Sequence, residues 1–238
     1  MTTSDVLTIS RAADGAVVLI TIDDGKANAL GQAPLQALTT AIRDAASSGA
    51  IIVIAGRTGI LSAGFDLTVM RGKDRQAISD MTGAGIELLC TMLETPTPVV
   101  VACTGHALAL GGLILLAADL RIGAAGNSKI GLVELSAGVA LPYFGVAIAK
   151  ARINPSSQAF ALFSATTFSP TEAERVGFLD VVVEPDAVVT TAVDRAAVLG
   201  GFNKRAYAST KAEMWGELVA GIRERTATDL AAFAKGYE

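Results

Sequence analysis

The stretch VVVACTGHALALGGLILLAA, residues 99–118, decides the fold. It runs for twenty residues without Asp, Glu, Lys or Arg, which is the length of a membrane-spanning helix. However, glycines interrupt it at Gly105 and Gly111, and its first residues are β-branched and follow a proline. We therefore predict a buried strand, a tight turn and a buried helix from about Gly111 to Ala118, and not a membrane span.

The segments that precede this stretch alternate between strand and helix patterns. Fully apolar strands indicate a parallel sheet that is covered on both faces, and helices between strands imply right-handed crossovers. The sequence therefore predicts the α/β class, with a mainly parallel sheet. The predicted elements are a hairpin of residues 6–10 and 16–22, a helix over 34–46, a strand over 51–54, a Gly-rich loop over 56–64 and a helix that ends before Pro96.

The C-terminal part of the chain has a different pattern. Ser169 and Glu172 form the capping box of a helix, and a short strand follows at 179–183. Beyond that strand every segment has helical periodicity. We predict a core domain over 1–185 and a C-terminal helical region over 186–238. Since this region has no core of its own, it must pack on the core domain or on another subunit.

Composition excludes several classes of function. Hydrophobic residues make up 51% of the chain and the net charge is −4, so the sequence is neither disordered nor typical of a nucleic-acid-binding protein. Cys90, Cys103 and His106 are too few for a Cys/His zinc site or a disulfide scaffold. Residues 1–10 hold no apolar run behind a basic start, so we expect no secretory signal. We expect a cytoplasmic protein without a metal, a nucleic-acid partner or a membrane partner.

Two loops are candidates for a ligand site. Residues 61–67 and 105–112 each follow a predicted buried strand and place small residues before the start of a helix. Open α/β sheets bind ligands at this position, and two such turns side by side are able to form an oxyanion hole. The alternative is two ordinary tight turns. His106 lies in the second loop, and we interpret it as a turn residue with a hydrogen-bonded ring.

A single carboxyl is the candidate acid–base group. Glu134 is the only acidic residue between Asp119 and Glu172, and its neighbours are apolar. Burial in such surroundings raises the pKa of a carboxyl, which suits a general base near neutral pH. The alternatives are a carboxylate on the surface of a loop, or one that is paired with Arg121 or Lys129.

Five segments, taken in order, resemble the crotonase superfamily, the enoyl-CoA hydratase/isomerase family. The resemblance covers about the first 185 residues and implies a crotonase-like core, a spiral of ββα units, followed by C-terminal helices that serve as a trimerisation or lid region. The five matching segments are residues 28–30 (NAL), 62–67 (SAGFDL), 105–119, 130–134 (IGLVE) and 173–180 (AERVGFLD).

The resemblance implies chemistry on an acyl-CoA thioester. The backbone N–H groups of Phe65 and Leu110 would stabilise a thioester enolate, and Glu134 would be the base. Leu110 stands where the family usually has glycine, so its backbone must suit a side chain. Leu113 stands where hydratases carry a second glutamate, so the chain resembles the one-glutamate Δ3,Δ2-enoyl-CoA isomerases. A hydratase and a catalytically inactive acyl-CoA-binding protein are the alternatives.

The same resemblance implies where coenzyme A binds and how the chain assembles. The adenine would lie against the main chain of residues 62–65, with Lys26 and Ala27 near the pantetheine and phosphates. Coenzyme A would arrive as part of the substrate, without another cofactor, in fatty-acid metabolism such as β-oxidation. A homotrimer or a dimer of trimers is expected. The predicted substrate-binding residues are Lys26, Ala27, Ser62, Ala63, Gly64, Phe65, Asp66, Leu110, Gly111 and Leu113.

Overall fold

The segment 99–118 folds into two strands and a buried helix in the computed structural model, which describes residues 6–233. The strands are β1 (Leu7–Ala12), β2 (Val17–Ile22), β3 (Ala29–Leu30), β4 (Ile51–Gly56), β5 (Gly59–Ser62), β6 (Gly64–Phe65), β7 (Val99–Cys103), β8 (Gly105–Leu108), β9 (Leu120–Ala124), β10 (Ile130–Gly131) and β11 (Val181–Val183). The helices are α1 (Gln32–Ser47), α2 (Leu67–Met70), α3 (Arg75–Glu94), α4 (Leu110–Ala117), α5 (Tyr143–Arg152), α6 (Pro155–Phe163), α7 (Pro170–Val176), α8 (Val188–Gly200) and α9 (Lys204–Phe233).

The main sheet has six strands in the order β1-β2-β4-β7-β9-β11. Strands β1 and β2 form the predicted antiparallel hairpin, and every other neighbouring pair is parallel. Two small sheets, β10-β8-β5 and β3-β6, lie beyond the carboxyl ends of the central strands. The predicted α/β class with a mainly parallel sheet is confirmed.

Both faces of the main sheet are covered, because side chains of each strand alternate between two apolar clusters. In β4, Ile52 and Ile54 belong to the large core beneath α1, α3 and α4. Ile51 and Val53 belong to a second cluster with Val188, Ala192 and Ala196 of α8. Helix α8 is therefore the outer cover of the sheet, although its sequence lies in the region predicted as an appendage.

Helix α9 packs on its own chain, against α3 and α5. A buried ion pair joins Lys211 to Asp119 at 2.6 Å, and the guanidinium of Arg152 in α5 lies 5.1 Å from the ring centroid of Trp215. The C-terminal helices were predicted to pack on the core domain or on another subunit. In the structure they pack on the core of the same chain. The boundary predicted at residue 185 stays a prediction.

The two candidate loops are more regular than predicted. The loop expected over 56–64 contains β5 and part of β6, and the turn expected after β7 contains β8. These strands pair because glycine allows close approach: a Cβ on Gly105 would lie 1.9 Å from the carbonyl carbon of Gly59. The interpretation of His106 as a turn residue was wrong, since it lies in β8, where its Nδ1 accepts the Lys129 N–H at 2.9 Å.

Across residues 6–233, none of the helices combines the length and the apolar character that crossing a bilayer requires. The stretch 99–118 instead supplies β7 of the main sheet, β8 of a small sheet and the buried helix α4.

Candidate active site

The ends of β6 and β8 bring the two candidate loops into contact. A Cβ on Gly64 would lie 3.3 Å from the amide nitrogen of Leu110 and 3.0 Å from the Cβ of Ala109. The φ of Gly64 is also +100°, a backbone conformation that side chains disfavour. Glycine at this position therefore leaves the N–H of Leu110 uncovered.

The Leu110 N–H has the properties of an oxyanion donor. Leu110 is the first residue of α4, where N–H groups lack partners within the helix and the positive end of the helix dipole lies. Within residues 6–233 no acceptor receives this N–H. The sequence analysis expected an unusual backbone conformation to be a concern at Leu110. The structure has it one residue earlier, at Ala109, whose φ is +50° and ψ −118°.

The side chains of the two predicted donor residues pack on one patch of α3. A Cβ on Gly85 would lie 2.6 Å from Cζ of Phe65 and 3.7 Å from Cδ2 of Leu110. The backbone of Phe65 is held in β6, which pairs with β3. Just before it, the Ser62 hydroxyl donates to the Asn28 carbonyl at 2.8 Å and accepts the Gly64 N–H at 3.0 Å. The turn that carries the Phe65 N–H is thereby fixed.

Asn28 anchors this turn, a role that the sequence analysis did not assign. It is fully buried, has φ +49°, and its amide donates to the carbonyls of Ile22 at 2.8 Å and Leu61 at 3.1 Å. The preference of asparagine for positive φ was the signal available in the sequence. Its neighbour Ala27 accepts the Ala63 N–H at 3.0 Å, so two of the predicted coenzyme A segments are adjacent.

The exposed rim of these segments carries both basic and acidic side chains. Lys26 is exposed, and its carbonyl accepts from Nε of Arg57 at 2.9 Å. The sequence analysis missed Arg57, which places a second cation beside Lys26. Both cations are able to bind phosphate groups, and Oδ1 of Asp23 lies 3.9 Å from Nε of Arg57. Asp66 begins α2, where its carboxylate accepts the Thr68 N–H at 2.7 Å.

Glu134 lies on the segment that continues from β10. This strand pairs with β8, and the Gly131 carbonyl accepts the Ala109 N–H at 3.0 Å, three residues before Glu134. Oε2 of Glu134 is buried without a hydrogen-bond partner in the described part of the chain. Burial raises the pKa of this carboxyl to about 7. The predicted alternative of pairing with Arg121 is wrong, since Arg121 binds Asp180.

The first turn of α4 packs on the first candidate loop and carries only small and apolar residues. A Cβ on Gly111 would lie 2.4 Å from the Ser62 carbonyl oxygen, so the helix rests directly on the first loop. Leu113 is buried in the large core together with Leu132 and Val139. An apolar side chain at position 113 takes no part in proton transfer. No cluster of metal-ligating side chains occurs among the residues that the structure describes.

This arrangement supplies two elements of enolate chemistry. An uncovered N–H at a helix N-terminus stabilises a negative charge that develops on an oxygen. A buried carboxyl whose pKa is raised to about 7 is able to take up and return a proton near neutral pH.

Comparisons with known proteins show the family of the chain. Residues 12–235 match the family model described as enoyl-CoA hydratase/isomerase. The probable enoyl-CoA hydratase EchA17 of Mycobacterium tuberculosis is 32% identical over 143 residues, which are 60% of this chain and 54% of that protein. The chain spans 26% and 54% of the lengths of the first curated relatives that it matches.

Solved structures match over nearly the whole chain. An enoyl-CoA hydratase/isomerase family protein from Pseudomonas syringae has a TM-score of 0.92 and 33% identity, covering 96% of this chain and 98% of that one. Human mitochondrial delta3-delta2-enoyl-CoA isomerase has a TM-score of 0.92 and 25% identity, with 96% and 90% covered. The predicted crotonase-like fold is confirmed, and the chain belongs to the enoyl-CoA hydratase/isomerase family.

Proposed function

We propose that the protein is a Δ3,Δ2-enoyl-CoA isomerase with Glu134 as its single acid–base residue. Glu134 removes a proton from C2 of a 3-enoyl-CoA, and the electron pair moves onto the thioester oxygen. The N–H groups of Phe65 and Leu110 donate to that oxygen. Glu134 then returns the proton to C4, so the double bond moves from C3–C4 to C2–C3 and no atom is gained or lost.

The observation that carries this proposal is that position 134 has a carboxyl group, whereas position 113 has an apolar side chain. Glu134 has a buried carboxyl oxygen without a partner and a pKa raised to about 7, while Leu113 is 1% exposed and apolar. Isomerisation requires one group that moves one proton. Adding water to a double bond requires, in addition, that the water be held and activated, and an apolar wall offers it no hydrogen bond.

We assign substrate binding to the same loops. The coenzyme A portion lies along Lys26, Ala27 and the main chain of residues 62–65, with Lys26 and Arg57 near its phosphates. Asp66, Gly111 and Leu113 complete the residues that we assign to the substrate. Coenzyme A is then part of the substrate thioester, and the reaction uses no further cofactor.

A hydratase is the second candidate, because the Mycobacterium tuberculosis relative carries that name. The test is a side-by-side assay of the wild-type protein on 3-enoyl-CoA and 2-enoyl-CoA thioesters of several chain lengths. We expect isomerisation to exceed hydration by at least ~10²-fold, the low end of acid–base catalysis. Efficient hydration of crotonyl-CoA would overturn the isomerase assignment. Binding of acyl-CoA without turnover of either substrate would instead indicate an inactive acyl-CoA-binding protein.

We also propose a homotrimer or a dimer of trimers, as the family resemblance implies. Light scattering on the purified protein is expected to give a mass three or six times the chain mass of 24.3 kDa. A monomer at micromolar concentration would contradict this expectation.

A further inference from the structure

The N-terminus of α5 is capped by a residue from the far end of the chain. Helix α5 begins after Pro142, which has no side-chain oxygen to accept its first N–H groups. Asp229 of α9 accepts the Tyr143 N–H at 3.3 Å and the Phe144 N–H at 3.1 Å, from 86 and 85 residues away. A carboxylate at a helix N-terminus also interacts favourably with the helix dipole.

Asp229 reaches this position because α9 is packed closely on the start of α5. Asp229 is 6% exposed. The guanidinium of Arg225 lies 4.3 Å from the ring centroid of Tyr143, and a Cβ on Gly221 would lie 3.1 Å from the Tyr143 hydroxyl. The Arg225 side chain, one turn away on the same helix, therefore holds Tyr143, and Gly221 leaves room for the Tyr143 hydroxyl.

The segment between β10 and α5 carries Glu134 and is fixed at both ends. At its start, the Gly131 carbonyl accepts the Ala109 N–H, which belongs to the residue before the oxyanion donor. At its end, Tyr143 is held by Asp229. Between these ends, the Glu134 carbonyl accepts the Val139 N–H at 3.0 Å, so Glu134 moves with the segment.

We propose that Asp229 is a positioning residue: by capping α5 it fixes the segment 131–143 and keeps the Glu134 carboxyl buried against the site. The catalytic importance of this contact rests on the proposed function. Glu134 is the residue that contacts the substrate. Asp229 does not contact it and acts through the backbone of Tyr143 and Phe144.

The test compares D229A, D229N and the matched control E224A in the full-length protein. D229N removes the charge and keeps only one of the two acceptor oxygens, because an amide nitrogen accepts no hydrogen bond. Glu224 is an exposed acid on the same helix without a partner among the described residues, so E224A removes only a charge. The cations on the elements that border the segment are unchanged in all variants; they are Lys129, Lys150, Arg152 and Arg225.

The first readout needs no substrate. The 13C-labelled carboxyl of Glu134 is titrated by NMR, and amide hydrogen exchange is measured over residues 134–141. We expect D229A to lower the pKa of Glu134 from about 7 towards 4.5, because water reaches the loosened segment, and to speed exchange there. D229N, which keeps one acceptor, is expected to lie between D229A and the wild type, and E224A is expected to match the wild type. Equal lowering of the pKa in D229N and D229A would show a charge effect and overturn the proposal.

Fluorescence of Trp215, the single tryptophan of the chain, reports whether α9 stays docked. We expect unchanged emission in D229A, because Trp215 lies fourteen residues before Asp229 on α9. With 3-enoyl-CoA, kcat of D229A is expected to fall at least ~10-fold at nearly constant KM, with partial recovery in D229N. A red shift of Trp215 in D229A would show general undocking of α9 and overturn the specific role. If the wild type lacks isomerase activity, only the proposed function fails, since the NMR and exchange results still decide the role of Asp229.

Discussion

At the scale of single residues, the proposed base Glu134 is expected to set how activity depends on pH. The base must be ionised to accept a proton, so kcat/KM of the wild type is expected to rise with pH up to about 7 and then level off. Glu134→Gln keeps the size of the side chain and removes the acceptor. We expect isomerisation to fall at least ~10²-fold at pH 8. Activity within a few-fold of the wild type would mean that another group is the base.

The same substitution is expected to stabilise the fold at high pH. Folding raises the pKa of Glu134 from 4.5 to about 7, so the folded state holds this proton more tightly than the unfolded state does. The contribution of Glu134 to stability is therefore fully present below pH 4.5 and is lost as the pH rises through 7. Glutamine stays neutral, so Glu134→Gln gains ~1–3 kcal/mol in free energy of unfolding at pH 8 and nothing at pH 4. Urea unfolding at both pH values measures the difference.

Gly64 provides a test of the Leu110 donor. In Gly64→Ala the new Cβ would lie 3.3 Å from the Leu110 nitrogen and would cover its N–H. Loss of one oxyanion donor lowers kcat by ~10²–10³-fold. Gly59→Ala is the control, because Gly59 has a similar φ of +87° but open space around its Cβ position. Steady-state kinetics are expected to show a large loss in the first variant alone, and equal activity in both would remove Leu110 from the mechanism.

At the scale of elements, α3 supports Phe65 through one glycine. Alanine raises helix stability by ~1 kcal/mol over glycine, so Gly83→Ala, whose Cβ has room, is expected to stabilise the protein. Gly85→Ala places its Cβ 2.6 Å from the Phe65 ring, and such overpacking costs ~1–3 kcal/mol. Thermal unfolding is expected to move in opposite directions for the two variants, with loss of activity only in Gly85→Ala. A stabilised, active Gly85→Ala would show that Phe65 has no fixed place on α3.

The sequence predicted the long elements because their patterns are local. The helix capped by Ser169 and Glu172 forms with both capping bonds present, and the apolar strand at 51–54 is β4. The short strands β5 and β8 were missed because they depend on pairing between glycine-rich segments distant in the chain. Ala109 gave no signal for its positive φ, since alanine rarely adopts one.

At the scale of the whole molecule, one buried ion pair joins α9 to the core. Lys211 and Asp119 are 4% and 11% exposed, and burial lowers the pKa of Lys211 while Asp119 opposes this change. Lys211→Met leaves a buried carboxylate without its partner, which costs ~3–5 kcal/mol. Urea unfolding followed by Trp215 fluorescence measures this loss. Lys204→Met, at the exposed start of α9, is the control and is expected to change stability by less than ~0.5 kcal/mol.

The distance in sequence between Tyr143 and Asp229 has a consequence for biosynthesis. A ribosome releases the N-terminal part of the chain first, so all strands and Glu134 emerge before the cap of α5 is made. A growing chain thus holds every residue of the proposed chemistry while the segment of Glu134 still lacks its second anchor. The full catalytic rate would then be reached only when translation has passed residue 229.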